Sequence, residues 1–289
     1  MVKISFVNVS AEYARDLSGV FTTASLRALA APHPWEAGRR FSVLGDALQA
    51  NIPLGAVLDE AFDTLKGTRR SEYVFKNEIV SRIVFGRHRP TSASAAVEFG
   101  VGISKADVVV VNGTTTVYEV KTDFDSFARL HTQLRDYSEF AEHVYVVVSA
   151  RRGDAALEAA AEHVGVIALH ASGRMQTLRP AEGGLERITR EKLFQVLRAG
   201  ERSDILAAEC AHNDGTTMGM REAFSRIPVP TLHAHVVRLL RRRFGGATSV
   251  VSDPGFPHSL RALAYGVSLS GSAQSRLLER LQERPTHML

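Results

Sequence analysis

The chain has 289 residues, of which 45% are hydrophobic, and its formal net charge is +4 at pH 7. This length supports one large domain or two modest ones, and the mild charge permits nucleic-acid binding without indicating it. The single cysteine, Cys210, excludes an intramolecular disulfide and a cysteine-rich zinc module. Because there is no secretory signal pattern and no apolar run of roughly 18 residues, we expect a cytoplasmic protein with no membrane partner.

In chain order, the first predicted elements are helices, and a group of strands follows them. Apolar residues recur at helical spacing through residues 1–68, and a further helix is predicted at about 71–85, where Gly86 ends it. Three strands are predicted at about 96–101, 106–111 and 116–121, with the turn Asn112-Gly113 joining the last two. Asp125 or Ser126 is expected to cap the next helix, which runs to about residue 142.

The second half of the chain continues the alternation of strands and helices. The apolar run 144–148 predicts a buried strand, which is typical of a sheet covered on both faces. A helix at 155–163, a strand at 165–169 and an edge strand at 175–178 follow, and from residue 190 onward the chain is predicted to be helical. The fold class is therefore α/β, with a four-stranded mixed sheet flanked by helices. We divide the chain into a helical N-terminal region (1–68), a core (69–180) and a mainly helical C-terminal region (181–289).

Charged residues converge at the ends of the second and third predicted strands. Strand side chains alternate between faces, so Glu119 and Lys121 project on the same side, and Asp107 begins the partner strand. Two carboxylates and a lysine can hold a hard divalent cation and orient a water molecule at a phosphodiester. The alternative is a surface hairpin that carries a Glu–Lys ion pair. Against it, residues 108–111 are apolar at every position, and charges at the ends of such buried strands need partners.

Two flanking helices add candidate residues. On a helical wheel, Glu72 falls on the apolar stripe of its helix and Glu78 falls away from it, so Glu72 is the predicted third acidic residue, with a capping or ion-paired role as the alternative. Gln133 and Tyr137 are four residues apart and share a helix face, with Arg129 one turn earlier. An ordinary amphipathic helix would give the same pattern.

The order of helix Glu72, strand Asp107, strand Glu119-Val120-Lys121 and helix Gln133-Leu134-Arg135-Asp136-Tyr137 resembles the PD-(D/E)xK phosphodiesterase superfamily, in its RecB-type QxxxY branch. Residues 70–149 also resemble an uncharacterised bacterial family within that superfamily. The resemblance implies a restriction-endonuclease-like core of one helix, three strands, one helix and one strand.

The resemblance also implies roles for the residues of the motif. Mg²⁺ or Mn²⁺ would be held by Asp107, Glu119, Glu72 and the carbonyl of Val120. Lys121 would orient or help deprotonate the attacking water. Gln133 would position the catalytic strand or its waters, and Tyr137 would contact the substrate backbone.

Further charged residues beside the motif have two interpretations. Arg129 and Lys105 are predicted to bind substrate. Glu98 in the first strand and Lys105 could each line the site, although strand-end charge is the commoner explanation of both. Asp123 continues the alternation of Glu119 and Lys121, which would also bring it to the metal region. A cluster of arginines at 238 and 241–243 suits either the end of a helix or a phosphate-contacting surface.

The sequence thus predicts metal-dependent hydrolysis of DNA phosphodiester bonds. RNA is not excluded as a substrate, and both exonuclease and endonuclease activity are compatible with the motif. The alternative function is a non-catalytic nucleic-acid-binding module that has kept the nuclease fold. Oligomeric state is left open.

Overall fold

A computed structural model gives the fold over residues 10–33, 35–49, 51–68 and 71–285. Contacts within the chain divide it into two compact units. Unit 1 takes in the described residues of Met1–Thr91, Ala171–Arg174 and Gly246–Leu289, and unit 2 consists of Ser92–His170 and Met175–Gly245. No single helix in the described ranges is long and apolar enough to cross a membrane, although the bent pair Gly38–Gln49 and Leu54–Thr68 passes by length and composition alone.

The helices are numbered in chain order. They are α1 (Ala11–Ser18), α2 (Thr23–Ala30), α3 (Trp35–Phe41), α4 (Leu54–Thr68), α5 (Glu72–Val80), α6 (Leu130–Ser138), α7 (Gly153–Ala159), α8 (Arg190–Val196), α9 (Ala199–Ala208), α10 (Thr217–Ser225), α11 (Val229–Phe244), α12 (Thr248–Val251), α13 (Arg261–Gly266) and α14 (Gly271–Gln282). Short 3-10 helices cover Ser42–Gln49, Ala150–Arg152, Gly245–Ala247 and His258–Leu260, and a π-helical stretch, Ser81–Arg87, continues α5.

Unit 2 is built on a six-stranded sheet whose spatial order follows the order of the strands along the chain. The strands are β1 (Ser94–Val101), β2 (Ser104–Val111), β3 (Thr115–Lys121), β4 (His143–Ser149), β5 (Gly165–Leu169) and β6 (Met175–Arg179). β1, β2 and β3 are antiparallel neighbours, β3, β4 and β5 run parallel, and β6 returns antiparallel at the edge. The predicted α/β class with a mixed sheet is confirmed, but the sheet has six strands rather than four because β5 and β6 extend it.

The central strands form where β-branched residues are concentrated. The last four residues of β2 and the last four of β4 are buried, as expected for strands with both faces covered. On one face, Val109, Val111 and Val117 belong to an apolar core that also includes residues of α6 and of α8 to α11. α6 therefore lies over this face of β2 and β3, and it brings its polar residues to the ends of those strands.

α6 begins later than the sequence predicts. Neither Asp125 nor Ser126 caps it, because the Asp125 carboxylate accepts hydrogen bonds from the backbone N–H (2.7 Å) and the hydroxyl (2.6 Å) of Thr122. Ser126 accepts one from the N–H of Ala128 instead. These bonds close a turn after β3, and the helix starts at Leu130 with Arg129 at its N-cap.

In unit 1, α5 is buried on nearly all sides. Residues 74–80 are all buried, and α5 contacts α4, α13 and the π-helical stretch. Asn77 ties it to the C-terminal part of the unit, since its amide donates to the carbonyl of His258 and accepts from the N–H of Ala262, each at 2.9 Å. A helix buried on all sides has no single core-facing stripe, so a helical wheel cannot predict which of its two glutamates, Glu72 or Glu78, is buried.

Candidate active site

Asp107, Glu119 and Lys121 lie on one face of the sheet, at the end of the β2–β3 hairpin that is remote from its turn. Val108 pairs with Tyr118, and the continuation of this register places Asp107 opposite Glu119. Directly opposed residues of antiparallel strands project to the same face, and Lys121 follows Glu119 by two residues. Three predicted site residues are therefore brought to one place by strand pairing alone.

Glu119 is held from three directions. Its side chain is 2% exposed, and a buried carboxylate at this depth needs hydrogen-bond donors. Its Oε1 accepts from the Lys121 ammonium and from the Gln133 amide, each at 2.6 Å, and its Oε2 accepts from the Tyr137 hydroxyl at 2.9 Å. Gln133 also accepts from Lys121 at 2.9 Å. We call Glu119, Lys121, Gln133 and Tyr137 the Glu119 cluster.

Tyr137 acts inside this cluster rather than at the surface. It is fully buried, so the prediction that it contacts the substrate backbone is wrong: α6 turns its hydroxyl inward to Glu119. Burial, followed by the negative charge and hydrogen bond of Glu119 and the charge of Asp107, raises the pKa of Tyr137 far above its ordinary value of 10.0. The phenol therefore stays protonated and serves as a hydrogen-bond donor that fixes the glutamate.

Asp107 is half-buried and is oriented by the backbone. Its Oδ2 accepts a hydrogen bond of 2.7 Å from the N–H of Val120, which locks the carboxylate against the strand that carries Glu119 and Lys121. The carbonyl of Val120, predicted as a metal ligand, belongs to the same strand end. Its role as a ligand stays a prediction.

Glu98 is the site residue that sequence reasoning undervalued. Val97 pairs with Val108 and Phe99 with Ala106, so the register sets Glu98 beside Asp107, and one carboxylate oxygen of each lies within 4.8 Å of the other. Glu98 adopts φ +59°, a left-handed conformation that is unfavourable for a side chain with a Cβ. Such strain persists where the surroundings enforce it, and it concentrates at functional positions. Strand periodicity contains no signal for it.

These oxygens fit a hard divalent cation. Two oxygens that share a cation lie up to roughly 5 Å apart, because each is about 2.0–2.6 Å from the ion. Asp107 and Glu98 meet that limit. In the Glu119 cluster, three donors occupy three of the roughly four acceptor positions that a carboxylate offers, so Glu119 retains capacity for one further partner.

A cleft of about 370 Å³ opens beside the cluster. Lys105 and Arg129, both predicted to bind substrate, line it and are exposed, and Gln133 reaches it from α6. Lys105 also pairs with Glu98 at 2.8 Å. Ile103, which is 87% exposed, forms part of the wall. The cleft thus places two cations and one apolar side chain next to the carboxylates.

A buried ion pair fixes the wall of this cleft. Asp136 accepts hydrogen bonds from Lys192 of α8 at 2.5 Å and from Ser104 of β2 at 2.6 Å. Burial alone would raise the pKa of Asp136, but the hydrogen bonds from Lys192 and Ser104 outweigh it and hold the pKa below its ordinary value. Gly102 covers the pair at φ +63°, where a Cβ would collide with the Lys192 ammonium. The β1–β2 turn is therefore anchored to α6 and α8.

Asp123 is engaged away from the cluster. Its Oδ1 accepts from the hydroxyl of Ser149 and from Arg151, the latter at 2.8 Å. These contacts tie the loop after β3 to the end of β4. They account for Asp123 as a residue that orders the loop.

The predicted environments of Glu72 and Glu78 are wrong. Glu72 belongs to unit 1, where it sits in the first turn of α5 with 54% of its side chain exposed and pairs with Lys76. Glu78 is the buried one, with Arg82 at 3.0 Å and Lys66 at 3.7 Å. The wheel argument fails because α5 is covered all round. The catalytic and metal-binding role of Glu72 stays a prediction.

The arginine cluster at the end of α11 is divided between two environments. Arg243 is largely buried, pairs with Glu201 and donates to the carbonyl of Val196 at 3.1 Å, so it stabilises the packing of α11 on α9. Arg238, Arg241 and Arg242 are exposed. For these three, a phosphate-contacting role stays a prediction.

A family model described as bacteriophage P4 protein cII matches residues 65–251, which is about two thirds of the chain. The chain belongs to the bacteriophage P4 protein cII family. The match in this cII family spans α5, the whole sheet and α6 to α11, so it contains every residue of the Glu119 cluster together with Asp107 and Glu98.

Comparison with curated proteins gave no match. Among solved structures, this cII-family chain is similar to SPO1766, a protein of unknown function from Silicibacter pomeroyi, with 17% identity and a TM-score of 0.29 over 43% of this chain and 86% of that chain. A TM-score this low supports no inference about fold or function.

Proposed function

We propose that this protein is a metal-dependent nuclease that hydrolyses DNA phosphodiester bonds, with a restriction-endonuclease-like core of the PD-(D/E)xK type. The observation that carries the proposal is the Glu119 cluster beside Asp107. A buried glutamate, a lysine two residues later and a glutamine from the next helix are joined by hydrogen bonds of 2.6–2.9 Å on the face that also holds Asp107. An ordinary surface ion pair is exposed to solvent, whereas Glu119 is buried and accepts further hydrogen bonds from two residues of α6.

Mg²⁺ or Mn²⁺ is the cofactor that these residues would hold, through oxygens of Asp107, Glu98 and Glu119. When bound, such a cation stabilises negative charge on a phosphate and lowers the pKa of a coordinated water. Two members of this proposed ligand set are held in place, because Asp107 is fixed by the Val120 N–H and Glu119 by three side-chain donors.

Lys121 supplies a positive charge at a defined point. Its ammonium has three N–H groups, and two of them are donated to Glu119 and Gln133. The third is left for a water molecule or a phosphate oxygen. Because its hydrogen bonds already fix the ammonium, Lys121 can stabilise negative charge that develops on the phosphate with no reorganisation during the reaction. Removing Lys121 is therefore expected to lower the cleavage rate about 10²–10³-fold.

Lys105 and Arg129 would contact the substrate phosphates from the cleft. Phosphate contacts supply most of the sequence-independent affinity of a nucleic-acid-binding protein. RNA has the same phosphates, so it stays a possible substrate for this cleft.

A second candidate function is a non-catalytic nucleic-acid-binding module with this fold. One observation favours it: Lys121 already balances the charge of Glu119 at 2.6 Å. On this alternative, the cluster is a structural ion pair and the cleft still binds phosphates.

One experiment separates the two functions. Purified protein is incubated with linear and circular DNA in magnesium, manganese or EDTA, beside Asp107→Ala and the control Asp154→Ala. Asp154 is an exposed residue in the first turn of α7, so its variant shows the effect of removing an aspartate outside the site, and cleavage that persists in Asp107→Ala reveals a contaminating nuclease or a wrong assignment. Cleavage that needs the metal, survives Asp154→Ala and is lost in Asp107→Ala supports the proposal. Binding without cleavage points to the second candidate, and neither binding nor cleavage overturns both.

A further inference from the structure

A separate pocket of about 300 Å³ lies in unit 2 on another face of α6. We call it the α6 pocket, and it is lined by His131, Leu134, Arg135, Ser138, Glu139, Ala159, Ala161, His163 and Arg187. At roughly 100° per residue, its α6 residues centre about 130° around the helix from Gln133 and Tyr137. The α6 pocket is therefore distinct from the cleft beside Lys105 and Arg129.

The base of the α6 pocket is apolar. Leu134 is buried in the core behind it, and Ala159 at the end of α7 and Ala161 just beyond are small and exposed. The His163 ring adds a planar wall that is held in place by a contact of 3.0 Å between its Nε2 and the Ser138 hydroxyl. Burial, then the charge of Arg187, lowers the pKa of His163, so the ring is neutral at pH 7. These surfaces suit a flat, uncharged ring.

The rim of the α6 pocket carries two arginines, Arg135 and Arg187. Arg135 and His131 are exposed, and the Asp136 carboxylate beside Arg135 accepts its hydrogen bonds from Lys192 and Ser104. Arg187 uses one terminal nitrogen for Glu186 and the other for the carbonyl of Glu182, which leaves further N–H groups of its guanidinium. Glu139 is the single acid among the lining residues, and Lys192 lies 3.6 Å from it. Two guanidinium groups over an apolar base favour an anion, because arginine forms paired hydrogen bonds to phosphate.

We propose that the α6 pocket binds a small organic anion of the nucleoside monophosphate class, with the ring against Leu134, Ala159 and His163 and the phosphate between Arg135 and Arg187. The volume is at the lower limit of small-molecule sites, which commonly measure about 300–1,000 Å³, so it accommodates one ring system and one ionic group rather than a polymer. The proposal goes beyond the proposed function and does not depend on it, since none of the pocket residues belongs to the Glu119 cluster.

Isothermal titration calorimetry in EDTA tests the proposal, with deoxyadenosine 5′-monophosphate as the probe and deoxyadenosine and inorganic phosphate as its two halves. Arg135→Gln removes the pocket cation, and Arg226→Gln is the matched control because it removes an exposed arginine at the end of α10 that lines neither the α6 pocket nor the cleft. We expect Arg135→Gln to weaken binding of the nucleotide at least tenfold and Arg226→Gln to change it less than twofold. Each half of the probe should bind at least tenfold more weakly than the whole.

A second variant tests the pocket without changing a residue of α6, so that an effect on the stability of that helix cannot explain the result. Ala159→Leu fills the pocket from an exposed position, so it leaves the core intact and should abolish nucleotide binding. The proposal is overturned if no binding is seen at millimolar nucleotide, or if Ala159→Leu binds like the wild type. It is also overturned if Arg226→Gln shows the same loss as Arg135→Gln, or if phosphate alone binds as tightly as the nucleotide.

Discussion

Replacing Tyr137 by phenylalanine tests the hydrogen bond on which the Glu119 cluster depends. The substitution keeps the buried ring and removes only the hydroxyl that donates to Glu119 Oε2 at 2.9 Å. Hydrogen bonds to charged groups contribute about 1.5–3 kcal/mol to stability. Removing the donor costs this much when the acceptor stays buried without a replacement. Because Glu119 is 2% exposed, water cannot replace the lost donor. We therefore expect Tyr137→Phe to lower the free energy of unfolding by about 1.5–3 kcal/mol.

Urea unfolding followed by circular dichroism measures this loss, and Tyr145→Phe is the matched control. Tyr145 lies on β4 in the same sheet and stacks on Tyr118 with ring centres 5.5 Å apart. Its hydroxyl makes no hydrogen bond with any residue that the structure describes. Its removal should change the stability by less than about 0.5 kcal/mol. Equal stability of the two variants would refute the hydrogen bond to Glu119.

The same pair of variants predicts a pH dependence. The pKa of Tyr137 in the folded protein lies above its ordinary value of 10.0, chiefly through burial and then through Glu119. A raised pKa means that the folded state holds this proton more tightly, so the contribution is complete below pH 10 and is lost as pH rises above it. The stability difference between wild type and Tyr137→Phe should narrow above pH 10 by up to about 1.4 kcal/mol per pH unit. A constant difference would contradict the shift.

Three further features are tested by urea unfolding of single-residue variants. Asp136→Asn should cost about 1.5–3 kcal/mol, because it removes the negative charge that accepts hydrogen bonds from Lys192 and Ser104; a loss below about 0.5 kcal/mol would contradict the buried pair. Gly102→Ala should cost more than about 1–2 kcal/mol because φ is +63°, whereas Gly100→Ala, which has open space, should be nearly neutral; equal effects would count against the anchored turn. Glu78→Gln should destabilise unit 1 and Glu72→Gln should not, and loss of DNA cleavage in Glu72→Gln without loss of stability would support its predicted catalytic role.

The strand pattern was predictable because its physical cause is local. The valine-rich runs of β2 and β4 have few conformations that bury them fully, and Asn112-Gly113 allows the tight turn, with Gly113 at φ +100°. Once these strands pair, alternation alone puts Glu119 and Lys121 on one face. The same reasoning put Gln133 and Tyr137 on one face of α6, and both reach Glu119.

The errors have tertiary causes that no local pattern contains. A wheel distinguishes Glu72 from Glu78 only for a helix with one exposed side, and α5 is surrounded. Asp125 and Ser126 are good capping residues, but the turn after β3 uses them first. The motif predicted a substrate-contacting role for Tyr137. Because α6 packs closely on the sheet, the Tyr137 side chain is buried and donates a hydrogen bond to Glu119 instead. The sequence left Glu98 between the site and ordinary strand-end charge, and the register of β1 against β2 places it beside Asp107.

The order of the sheet has a consequence for how the protein folds. Each strand pairs with the one made just before it, and no later strand is inserted between earlier neighbours. Strand pairings between consecutive elements close short loops, which keeps the contact order of the sheet low and favours rapid folding. The residues of the Glu119 cluster all lie within 119–137, at the end of β3 and on α6, and therefore before β4 in the chain. During synthesis, the cluster can therefore assemble as soon as β4 has joined β3, before the helices from α8 onward are made.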